Sequence, residues 1–135
     1  MKKVLIAIAL TGFTVFGIAN IAHADLAQDQ QQVTQVIHQM IKEHYKKPSA
    51  PARITKIAFS GSYAAVKWEK GENLSATTTL NRTDKGWVVV SASTRGWGGM
   101  RMFAEEGHMP ESNAIELLDQ IFPDWRKFES RSSSP

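Results

Sequence analysis

Three methionines and a histidine fall within ten residues of this chain: Met100, Met102, His108 and Met109. A second pair, Met40 and His44, stands four positions apart, which on a helix places both side chains on one face. Thioether sulfur is a ligand for soft Cu(I), and imidazole suits Cu(I) and Cu(II) alike. These six side chains therefore define a candidate copper site, provided that the segment bearing the first group packs across the helix bearing the second. Each also has an ordinary structural role open to it. Met40 falls on an apolar stripe, where methionine fills gaps. His44 sits near a helix C-terminus, where a cation is favoured. Met100 would pack a short helix beside Phe103, and none of these spacings has the specificity of a metal-binding signature. His108, between Gly107 and Met109, is expected on an exposed loop, free to bind or titrate or simply solvated.

Catalytic constellations are harder to assemble. The chain has no cysteine, and no serine occupies a Gly-x-Ser-x-Gly turn. Glu105 and Glu106 are adjacent and would diverge on a helix instead of sharing a substrate. A cone-shaped enzyme fold would need an acid on the concave face of its sheet, whereas Glu69 and Asp84 fall at turns. No catalytic residue is expected. Trp97 lies between Gly96 and Gly98 with nothing local to pack on, so it either folds back over the sheet or anchors a partner. Trp68 and Trp87 fall on strand segments and read as core.

The positioning elements follow from periodicity. Val33, Val36, Ile37, Met40 and Ile41 form the stripe of an amphipathic helix. Asp29 is its expected N-cap, and Pro48 and Pro51 stop it. Residues 53–59, 63–69, 74–81 and 87–90 read as strands joined by turns at Ser60-Gly61-Ser62, Lys70-Gly71-Glu72-Asn73 and Asp84-Lys85-Gly86, an antiparallel meander. Residues 100–106 fit a short helix with Gly107 as its C′ residue. A last helix opens at Pro110, buries Ala114, Leu117, Leu118 and Ile121, and ends at Pro123. The fold class is α+β: an N-terminal helix, a four-stranded antiparallel meander sheet, and a C-terminal helix or helices packed on one face.

Composition and the N-terminus bound the setting. Lys2 and Lys3 precede an uncharged run that reaches Ala22-His23-Ala24, the layout of a secretory signal peptide cleaved after Ala24. The expected organisation is a signal peptide over 1–24, a single α+β domain over 25–129 and a disordered tail over 130–135, with the mature protein periplasmic or secreted. Cleavage would reduce the 16 basic residues to 14 against 13 acidic ones. A mature chain so near neutrality gives no reason to expect nucleic-acid binding, and it would keep no membrane anchor. Without cysteine its stability rests on packing alone.

The stretch from Gly61 to Leu118 resembles a family of small exported bacterial proteins known as copper uptake system-associated proteins. The likeness is carried by Gly61-Ser62-Tyr63-Ala64-Ala65-Val66-Lys67-Trp68, by Trp87 with Val88–Val90, by Gly98-Gly99, and by Gly107-His108-Met109-Pro110 with Ala114 and Leu117. This chain has two residues between Gly107 and Pro110 where the family pattern tends to one, and Ser91 or Ser93 where a cysteine is common. The resemblance implies a shared fold, export and a connection with copper handling. The expectation is a non-catalytic accessory protein acting by binding, with copper as the candidate cofactor and a protein or small ligand as partner. The alternatives are a binding module using the sheet face and Trp97, and an enzyme of the cone-shaped type.

Overall fold

Two glycines set the first hairpin turns. Gly61 and Gly71 adopt φ of +60° and +72°, where residues with a Cβ are strained. Gly71 is required for a second reason, since a Cβ there would lie 2.9 Å from Cγ of Pro48. In the computed structural model, which describes residues 18–94 and 98–132 (side chains for 26–94 and 98–129), these turns join four strands. They are β1 (Ala52–Ser60), β2 (Tyr63–Lys70), β3 (Leu74–Thr83) and β4 (Gly86–Ser93). The sheet order is β1-β2-β3-β4 with every pair antiparallel, the meander that the turn spacing implies.

Both outer strands carry a bulge. Pairing shifts between Ile54 and Lys56 in β1, leaving Thr55 extra, and its hydroxyl donates to the Lys67 carbonyl at 3.2 Å. In β4 the partners of Thr79 and Leu80 are Ser91 and Val89, so Val90 is extra. A bulge twists an edge strand and spoils it as a template for uncontrolled pairing.

The described residues also form the helices α1 (Ile18–His44), α2 (Met100–Glu106), α3 (Glu111–Ile121) and α4 (Trp125–Ser132). The described residues fall into two units divided within α1, between Val33 and Thr34. Apart from the start of α1, all features below belong to the second. Helix α1 begins well before the expected cap, so Asp29 lies inside it. Helix α4 follows Pro123 and takes in residues 130–132 of the segment expected to be disordered.

Alternation along the strands sorts the core into two layers. On one face the small side chains of Ala58 and Ala65 let α3 approach, and Leu117, Leu118 and Ile121 bury against them with Phe103 of α2 and Trp125 of α4. Lys67 secures the end of α3: its ammonium donates to the Ile121 carbonyl at 3.4 Å and lies 4.5 Å from the Phe122 ring centroid. The other face carries the large residues Val66, Trp68 and Leu80, all buried. Trp87 packs on Phe59 there with ring centroids 5.5 Å apart. Tyr45, just past α1, meets Trp68 edge-on at 5.1 Å. The segment Thr34–His44 of α1, with Ile37 and Ile41 buried, therefore runs beside this second face, and the C-terminal helices take the first.

Candidate functional site

The sheet separates the two groups of candidate metal ligands. Met40 and His44 belong to α1, beside the Trp68 face. Met109 is buried with Phe103 and Ala104 in the cluster under α3, on the opposite face, and Met100 packs on the same cluster. The condition for a joint site, packing of the second segment across the first helix, is thus not met, because the sheet lies between the groups.

Local geometry explains the second group. The carboxylate of Glu129 in α4 accepts the Met100 N–H at 2.8 Å, capping α2 where Gly99 has no side chain to do so. Met102 is 47% exposed, but its sulfur turns back on the main chain, 2.9 Å from where a Cβ on Gly98 would stand. The end of α2 is a Schellman motif: Met109 N–H donates to Ala104 O at 3.0 Å and His108 N–H to Glu105 O at 3.1 Å. The left-handed residue in that motif is His108, φ +53°, and not Gly107, which is helical at φ −85°. A Cβ at Gly107 would fall 2.5 Å from the Met109 methyl and 3.3 Å from the Phe103 carbonyl oxygen, so a side chain there requires the end of Met109 to shift. His108 is exposed, as expected, and its position is fixed by helix termination.

Met40 and His44 have a different setting. With Val36 and Tyr45 they form one wall of an open groove of about 910 Å³, and residues 89–92 of β4 form the other. The bulge at Val90 lies in that second wall, so the irregularity of the edge strand shapes the groove. Gln35, Gln39 and Glu43 add polar atoms, with Gln39 donating to Glu43 at 2.5 Å and Glu43 3.9 Å from His44. The apolar stripe of the helix pointed to Val36 and Met40. The contribution of β4 was illegible, because it depends on which strand ends up at the edge beside the helix. Among the described residues, no group of three or more His, Asp or Glu side chains is arranged to hold a metal ion.

A second polar cluster joins α3 to the β1–β2 turn. The Ser60 hydroxyl donates to Glu116, and the Asn113 amide donates to Ser60 at 2.9 Å (Oγ) and 3.3 Å (carbonyl). Gln120 adds a bond to the Phe59 carbonyl at 3.0 Å. Serine, amide and carboxylate are all engaged in docking the helix on the turn.

Comparison of the chain with protein-family models, with curated proteins and with solved structures gives no match in any of the three. No helix among the described residues is long and apolar enough to cross a membrane. Trp97 and residues 1–17, which carry most of the expected signal peptide, lie outside the described residues.

Proposed function

We propose that the mature protein is an exported, non-catalytic binding protein whose ligand occupies the groove between α1 and β4. The observation that carries this reading is the groove itself. It is large enough for a small ligand, open to solvent, and lined by Val36, Met40, Val89, Val90 and Ala92 together with a row of polar groups, Gln35, Gln39 and Glu43, along the helix wall, a mixture of apolar surface and polar groups that a ligand site uses. Its acid and base, Glu43 and His44, are both exposed to solvent, whereas a catalytic pair works from a sheltered site, which favours binding over catalysis. Export rests on the N-terminal pattern of Lys2, Lys3 and the run to Ala24.

A link to copper is supported by one feature of this groove. Met40 and His44 offer a thioether and an imidazole one helical turn apart on the same wall, a two-ligand set that Cu(I) accepts. The other sulfur and imidazole candidates would have to leave the core or a helix terminus to join them. Titration of the mature protein with Cu(I) and Cu(II), followed by Tyr45 and Trp68 fluorescence, tests the assignment. One equivalent of Cu(I) should bind and be lost in Met40→Leu/His44→Asn. Unchanged binding in that variant removes copper from the groove. An apolar fluorescent probe displaced from wild type but not bound by Val36→Arg would support the groove as the ligand site independently of metal.

A further inference from the structure

Where α1 ends, a second cavity of about 400 Å³ lies between the helix, the following loop and the end of β2. Ile41 and Tyr45 give it an apolar wall. His38, Lys42, Lys46 and Lys70 supply its polar groups, and among the described residues no acidic one lines it. Lys42 and Lys46 are exposed, but Lys70 is not: only 8% of its surface is accessible. Its ammonium donates to the Pro48 carbonyl, and among the described residues no carboxylate pairs with it.

An ammonium has three donors, and one carbonyl accepts one of them. Burying such a charge without an opposite charge is costly. The partial negative charge at the end of α1 amounts to about half a unit, and it is set against three lysines. That dipole accounts for Lys42 and Lys46 near a helix terminus. It does not account for a lysine brought in from β2 and buried in the same cavity. Tying down the loop explains one hydrogen bond of Lys70 and leaves the surplus positive charge around it without a counterpart.

We propose that this cavity binds a small oxyanion, a phosphate or carboxylate group, with Lys70 as the inner donor and Lys42 and Lys46 closing over it. The site is separate from the α1–β4 groove and stands whether or not that groove binds a ligand. The test is an amide NMR titration of the mature protein with inorganic phosphate and, separately, acetate, against chloride at matched ionic strength. Saturable shifts centred on Lys42, Lys46, Ala50 and Lys70 with either oxyanion, and none with chloride, are expected. Lys42→Gln/Lys46→Gln leaves the bond to Pro48 intact and should weaken binding by about tenfold or more. Lys70→Met should abolish it; if that variant does not fold, the double variant decides. Shifts that fail to saturate, that chloride reproduces, or that persist with equal affinity in the double variant overturn the proposal.

Discussion

The indole Nε1 of Trp125 donates to Oδ1 of Asp119 at 2.8 Å, and the guanidinium of Arg126 reaches the same oxygen at 2.7 Å. This relationship fixes α4, whose buried Trp125 seals the cluster beneath α3. The hydrogen bond from Trp125, then that from Arg126, holds the Asp119 carboxyl below the usual carboxylate range.

Stability should therefore depend on pH through this residue. A carboxyl whose folded pKa is depressed contributes stability above its unfolded pKa, about 4, and loses it as pH falls through the lower folded value. Thermal melts of wild type and Asp119→Asn should differ at neutral pH and draw together as pH drops below about 4. A constant difference across that range would show that the ionised form of Asp119 is not favoured by folding.

Thr78 and Trp68 give a second test, on the other side of the sheet. The buried indole N–H of Trp68 donates to the Thr78 hydroxyl at 3.0 Å, and Thr78 is wholly inaccessible. Thr78→Val keeps the shape and removes the acceptor, stranding a buried donor. The cost should be about 1–3 kcal/mol in denaturant unfolding. Thr77→Val, on the opposite face and half-exposed, should change little.

His108 and Gly107 make opposite predictions at adjacent positions. A left-handed histidine bears strain of about 1 kcal/mol, and glycine would return about 0.5 kcal/mol of that through the greater freedom of the unfolded chain. His108→Gly should thus stabilise by about 0.5 kcal/mol. Gly107→Ala should destabilise by about 1 kcal/mol, because its methyl forces the end of the buried Met109 side chain to shift within the core. Chemical denaturation of the pair reads both signs, and a destabilised His108→Gly would mean that the imidazole makes a contact beyond its role in the motif.

These residues also mark what sequence could and could not convey. Strand alternation correctly separated Ala64, Val66 and Trp68 from Ala65, Lys67 and Glu69, since a period of two has one physical meaning once a face is buried. Helix α2 was legible to the residue, and the α3 stripe was legible in full. Asp29 misled because a good capping residue also tolerates a helix interior when flanked by good helix formers. Helix α4 was hidden by its polar composition, because its register is fixed by Trp125 and by Glu129 reaching back to α2, contacts that local pattern does not encode. The candidate copper residues failed to converge for a similar reason. Composition brought six ligands together, but which face of the sheet each helix covers is decided by side-chain volume: the alanines accept α3, and the face holding Trp68 is the one beside α1.

That division of volume can be tested directly. Ala65 is fully buried in the same cluster as Leu117 and Leu118, beneath α3. Ala65→Leu should cost about 1–3 kcal/mol by overpacking. Leu117→Ala should cost about 3 kcal/mol or more by leaving a cavity. If α3 sits where it does because Ala65 is small, the double variant Ala65→Leu/Leu117→Ala should recover part of both losses, since the added volume fills the space removed. Denaturant unfolding of the full cycle would show this as a favourable coupling of about 0.5 kcal/mol or more between residues in contact. Strict additivity would mean that the two side chains do not share a packing layer, and the placement of α3 over the small-residue face would have to be revised.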